Sequence, residues 1–216
     1  LLAPEALGLR IKQTEENPTA QLWIFNMKGF YGEILPRVSE QKGFPESVEK
    51  GLEMILRGGV PWQTGSMLWD RSFWQRIGGW NEKLDCFQDY EISFRAYHFN
   101  KNIWVDRTHQ CYHFYRLGNT LGISANHSKL SYKKKVFIAM LATEQFIPFS
   151  LKASHKAFIK KYFVQWTSRH TGIFSPIYFI FKTNFFKSVS RVEFLGWALR
   201  ESIIAIMNRL RNSINV

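Results

Sequence analysis

The chain has 216 residues, 45% of them hydrophobic and 16% aromatic, with eight Trp and nineteen Phe. Such a composition excludes disorder for its bulk and supplies the core of one ordinary domain with a helical appendage. The net charge of +12 is uneven: residues 1–128 hold fourteen Lys plus Arg against fourteen Asp plus Glu, whereas residues 129–216 hold fifteen against Glu144, Glu193 and Glu201.

Residues 5–16 read as a short helix, started near Pro4, with Leu7 and Ile11 on one face and Asn17-Pro18 as the stop. Residues 22–25 form a compact apolar run of strand length. Residues 32–45, with two Pro and two Gly, read as an irregular surface loop. A helix over 47–56 places Val48, Leu52 and Ile55 on one side and ends at Gly58-Gly59. Residues 62–69 read as a strand leading to Asp70, the N-cap of a helix over 71–77 that Gly78-Gly79 terminates. A helix over 88–99 follows, with Tyr90, Phe94 and Tyr97 at helical spacing and Asn100 as its stop. Residues 103–106 and 110–115 read as strands. Alternating helix and strand points to an α/β domain over 1–128.

The charge step marks a boundary near Ser128, beyond which the pattern is helical and amphipathic. Ile159, Tyr162, Phe163 and Trp166 share one face, and Lys152, Lys156 and Lys160 another. Val192, Leu195, Leu199, Ile203, Ile206 and Leu210 make a longer stripe. Residues 173–186 are apolar but broken by Ser175-Pro176 and Lys182, short of the about 20 apolar residues a bilayer span needs. Basic residues interleaved with aromatics over 129–216 fit helices lying on an anionic membrane, or a helical subdomain packed on the α/β part with a solvated basic face. Nucleic-acid binding is the rival from another class. No Gly-rich loop, zinc pattern or RNA motif supports it, and no nucleic acid is expected as a partner. Cys86 and Cys111 make no disulfide framework and read as thiols of a reducing compartment. Residues 1–10 lack the pattern of a secretion signal, and the missing initiator Met predicts further chain upstream.

The densest chemistry lies in residues 65–95, GSMLWDRSFWQRIGGWNEKLDCFQDYEISFR. This resembles the acceptor-side signature of family 2 (GT-A type) glycosyltransferases: a small-residue strand, a short helix, a Gly-Gly-aromatic-Asn-Glu turn, then an acidic pair opening a helix. Gly78-Gly79-Trp80-Asn81-Glu82 matches the turn, and Gln88-Asp89-Tyr90-Glu91 followed by Arg95 matches the acidic motif, with Gln where many members have Glu. The order and spacing of these elements carry more than any one of them.

The amphipathic pattern, not the resemblance, makes 129–216 an α-helical extension. The resemblance covers about residues 1–125 and implies a partial nucleotide-diphospho-sugar transferase-like domain. It implies an inverting enzyme that moves a sugar from a nucleotide-sugar donor to a glycan or lipid-linked acceptor in cell-surface polysaccharide or glycoconjugate synthesis. The expected location is cytoplasmic, peripheral on the cytoplasmic face of a membrane. Asp89 is by resemblance the general base that takes the acceptor proton. At a helix start it is well oriented, although the helix dipole lowers its pKa. On spacing alone, Asp89 caps the helix and Glu91 pairs with Arg95.

Trp62, Thr64, Gly65, Ser66, Trp80 and Glu91 match substrate-binding positions by the same resemblance. Arg116 matches a loop position near the leaving diphosphate, where a guanidinium offsets charge. His113 is a candidate metal ligand, with a strand His packed on the core as the other reading. The family's Asp-x-Asp, which holds a divalent Mg or Mn and the diphosphate, is absent from the chain. Going by usual domain sizes, the resemblance implies roughly a hundred further residues upstream that carry it, and little activity for this chain alone. A noncatalytic scaffold derived from such an enzyme is the remaining alternative.

Overall fold

Alternation in Leu22-Trp23-Ile24-Phe25 sends successive side chains to opposite faces of a strand, and apolar residues at every position call for cover on both sides. The computed structural model describes residues 5–30, 38–40, 45–107, 113–116, 130–167, 196–197 and 200. In it the run forms β1 (Leu22–Ile24), the centre of a three-stranded sheet. β1 pairs antiparallel with β4 (Met67–Trp69) and parallel with β5 (Ile103–Val105). Two residues further on, β2 (Met27–Phe30) is the centre of a second sheet, antiparallel to β3 (Val38–Glu40) and parallel to β6 (His113–Arg116).

Leu22 and Ile24, with Met67 and Val105, face a large core filled by helices. Trp23 and Phe25, with Leu68 and Trp104, pack instead with Leu9 of α1 (Ala6–Glu16). The helical side is built from α2 (Val48–Leu56), α4 (Gln88–Phe99), α5 (Leu130–Thr143) and α6 (Lys152–Thr167). Within it α4 is buried continuously from Tyr90 to Tyr97, so it is the axis on which the others pack. The short α3 (Arg71–Arg76) starts where the Asp70 carboxylate accepts the Phe73 N–H at 2.8 Å. The Ser47 hydroxyl caps α2 in the same way, accepting from the Lys50 N–H at 3.3 Å.

Several expectations change. Leu7 and Ile11 face solvent, 61% and 49% exposed, while Ala6 and Arg10 are buried. The small Ala6 lets α1 approach closely, and the Arg10 guanidinium lies 4.7 Å over the Phe25 ring and donates to the Gly65 carbonyl at 3.0 Å. Residues 62–69 are not one strand. A 3-10 turn, Thr64–Ser66, interrupts them because the Ser66 hydroxyl closes back on Gln63, accepting from its N–H at 2.9 Å and donating to its carbonyl at 2.6 Å. The expected loop over 32–45 contains β3, and of the strand expected over 110–115 the described part is His113–Arg116, residues 110–112 lying outside the described residues.

The charge step near Ser128 is not a packing boundary. Val136, Phe137 and Met140 of α5 and Phe158 and Ile159 of α6 belong to the same core as Leu22, Leu52 and Phe94. Residues 173–186 and most of 192–210 lie outside the described residues, as do the side chains of Tyr162, Phe163 and Trp166. Among the described residues no helix is long and apolar enough to cross a membrane.

Candidate active site

Asp89 sits in the first turn of α4 and lines a cleft of about 420 Å³. The end of α2 and the turn after it (Ile55, Gly58, Gly59, Val60) form one side, and Trp62, Gln63, Thr64 and Gly65 the next. The residues Cys86 to Tyr90 form the floor, and Tyr132 of α5 and Phe158 of α6 close the far wall. Three of the expected substrate-binding residues, Trp62, Thr64 and Gly65, are thus brought to one cavity with Asp89.

The α4 start is unusual. Phe87, the residue before the helix, has φ 61° and ψ 26°, a left-handed conformation that a bulky side chain adopts only at a cost of about 1–3 kcal/mol. Its ring lies 5.6 Å from that of Tyr90, which in turn stacks at 6.0 Å on Phe158. The strained turn therefore lays aromatic surface beside Asp89. The Asp89 carboxylate does not cap the helix in the usual sense; it accepts from the adjacent Tyr90 N–H at 3.0 Å. Burial pushes its pKa above the ordinary value of 3.8, and backbone N–H donors only partly oppose this. The expected lowering by the helix dipole is overturned, because desolvation of the carboxylate outweighs it.

Trp62 is held by Ser93 and Gly51. Its indole N–H donates to the Ser93 hydroxyl at 2.9 Å, and that hydroxyl donates to the Asp89 carbonyl at 2.5 Å. A Cβ placed on Gly51 of α2 would lie 1.9 Å from the indole ring, so the glycine makes the room that Trp62 occupies. Cys86 also lines the cleft, but burial raises its thiol to about 11, against the partial offset of Lys135. At neutral pH it is no thiolate nucleophile. Asp89 is the cleft's carboxylate, and proton acceptance is the chemistry this set of side chains offers.

The other expected residues serve elsewhere. Glu91 does not line the cleft; it is 2% exposed and holds Arg95 with two bonds, of 2.9 Å from Nε and 2.8 Å from Nη2. Arg95 also donates to the carbonyls of Ile77 and Gly79, at 2.7 Å for the latter. The acidic motif is thereby clamped to the Gly-Gly turn, where Gly78 and Gly79 take φ of 87° and 60°. Trp80 packs edge-on against Trp74 at 5.0 Å, away from the cleft lining. Ser66 is fully buried and spends its hydroxyl on Gln63. His113 and Arg116 lie on β6, opposite Met27 and Phe30 of β2, and their side chains fall outside the described residues. Among the described residues no group of three His, Cys, Asp or Glu is placed to hold a metal ion.

Sequence reasoning missed Tyr132, Phe158 and the Gly58–Val60 turn. The two aromatics come from helices remote in sequence, and their periodicity reads only as core. No family model, curated protein or solved structure matches the chain.

Proposed function

We propose that the chain carries the acceptor side of an inverting glycosyltransferase of the family 2 kind, with Asp89 as the general base. One observation carries the reading: a single half-buried carboxylate, its proton affinity raised by desolvation, lines an aromatic-rich cleft together with Trp62, Thr64 and Gly65. The acceptor hydroxyl sits within hydrogen-bond reach of Asp89. As its oxygen bonds to the anomeric carbon, the proton passes to the carboxylate. The bond to the nucleotide diphosphate breaks, the diphosphate leaves with the electron pair, and the anomeric centre inverts.

Burial strengthens Asp89 as a base while requiring it to be ionised first, so transfer rises with pH through its displaced pKa. Trp62 is buried and serves as packing behind the cleft, whereas Thr64 is exposed on the cleft and Gly65 leaves room for a ligand to approach the backbone. A divalent Mg or Mn belongs to the donor side of such a reaction. Among the described residues no group of three His, Cys, Asp or Glu would hold it, and the step at Asp89 uses this chain's own side chains. In this reading the acceptor is a glycan or lipid-linked molecule and the donor a nucleotide sugar.

Two measurements test the reading. Saturation-transfer NMR with a panel of oligosaccharides should give contacts that Thr64→Trp, which fills the cleft from an exposed position, removes; a cleft silent to every glycan sinks it. In the protein extended upstream to include a nucleotide-binding segment, Asp89→Asn should lower turnover about a hundredfold or more while donor binding persists. Retained turnover removes Asp89 as the base.

A further inference from the structure

We propose that the end of the helical layer remote from the cleft is a docking surface for an anionic lipid bilayer, with Phe149 entering the headgroup region. Docking goes beyond the transfer reading and does not depend on it.

The geometry follows from α4. Asp89 stands at its first turn, and Phe99, its last residue, lies about 15 Å further along at the usual rise per residue. There Phe99 is 56% exposed, and its ring is 6.3 Å from that of Phe146, in the 3-10 turn Glu144–Phe146 that follows α5. His98 adds an edge contact to each, at 5.4 and 5.6 Å. Three residues after Phe146, Phe149 opens the 3-10 turn Phe149–Leu151 and is 88% exposed. Single exposed apolar side chains are common on any protein surface. Here two aromatics protrude at one end of the layer, on either side of a third that packs against the core.

Charge selects the occupant. Lys152 follows Phe149, with its ammonium 5.7 Å from the ring centroid, and Lys156 stands one helical turn further along α6. Lys101 stands beside Phe99, its ammonium 3.4 Å over the Tyr97 ring. Glu144 and Glu49 are the acidic neighbours, and Glu49 accepts the Tyr97 hydroxyl at 2.5 Å. Neither α5 nor α6 contains an acidic residue, so no carboxylate on these helices offsets Lys152 and Lys156 at this end of the layer. Projecting aromatics in a basic surround are the pattern of interfacial binding: the rings leave water for the acyl boundary while lysines remain among anionic headgroups. A single-stranded nucleic acid would also meet basic charge, but it needs a groove along which bases stack. Phe149 projects.

Vesicle flotation tests this with the whole chain, on phosphatidylcholine vesicles with and without phosphatidylglycerol. The expected result is binding that needs the anionic lipid, weakens with salt, and falls about tenfold or more in Phe149→Ala. Lys152→Gln should weaken it severalfold on anionic vesicles only. Since Phe149 is exposed, its variant should melt with the wild type, which separates lost docking from lost folding. No binding to either vesicle overturns the proposal, as does binding that Phe149→Ala leaves intact. Displacement of the chain from vesicles by single-stranded DNA, or self-association that Phe149→Ala abolishes without vesicle binding, assigns the surface to another partner and overturns it as well.

Discussion

At Asp89 two opposed influences act on one carboxylate. The start of a helix favours the anion through its dipole and its free N–H groups, whereas burial beside aromatic rings favours the neutral acid. Burial wins, and the folded pKa lies above the ordinary 3.8. The sign for stability follows. The contribution from a raised acid is fully present below about pH 3.8 and is lost as pH rises through the folded pKa. At neutral pH the ionised carboxylate therefore weakens the fold that holds it, as expected where a site is built for reactivity. Asp89→Asn, which keeps shape without charge, should raise the melting temperature at pH 7, by about 2–4 °C for each kcal/mol relieved in a chain of this size. Melting curves should show the gap closing in acid; a variant less stable at pH 7 would mean that the carboxylate has a stabilising partner.

Between elements, two contacts decide how the helices meet. Gly51 of α2 faces the Trp62 indole with no room for a Cβ. Gly51→Ala should cost about 1–3 kcal/mol by overpacking, despite alanine's better helix propensity, and should move Trp62 into the cleft. Denaturant unfolding measures the first effect and glycan NMR contacts the second. On α6, His155 is 1% exposed, and burial holds its pKa down at about 4 against the smaller raising influence of the Met140 backbone of α5. A depressed histidine contributes stability that is present above about pH 6.5 and lost as pH falls toward 4, an order of magnitude of about 3 kcal/mol. Hydrogen-exchange protection factors in α5 and α6, taken relative to the intrinsic rate at each pH, should therefore fall over that range. In His155→Leu the pH dependence should disappear; unchanged acid sensitivity would place its origin elsewhere.

These same elements show what the sequence discloses and what it hides. The bounds of α4 are legible because aromatic spacing and Asn100 agree, and the Glu91–Arg95 pair is legible because i,i+4 geometry is local. The inward face of α1 is not. A buried Arg10 becomes acceptable only because Phe25 and the Gly65 carbonyl, 15 and 55 residues away, receive its guanidinium. Asp89 could be singled out from its motif, but its pKa direction depends on walls contributed by α5 and α6, which no local pattern announces.

For the whole molecule the question is whether charge partition and folding unit coincide. Residues 129–216 hold all the excess charge, which suggests a separate appendage. Yet Tyr132, Val136, Phe137, Met140, Leu141, Ile147, Phe158 and Ile159 are buried members of the core that begins at Leu22. Each such side chain contributes about 1.5–3 kcal/mol when buried. Removing all eight matches or exceeds the about 5–15 kcal/mol by which domains are stable. A chain ending at Ser128 should therefore lose its fixed tertiary structure, seen as collapsed amide dispersion and loss of near-ultraviolet circular dichroism, while the full chain unfolds through these helices and the α/β part together. A truncated chain that keeps its dispersion would restore the two-part reading drawn from charge. The coupling also bears on the site, since Tyr132 and Phe158 close the cleft from the helices whose far end carries Phe149. The basic surface and the cleft are then two ends of one helical layer, and a change that unseats α5 or α6 should be felt at both.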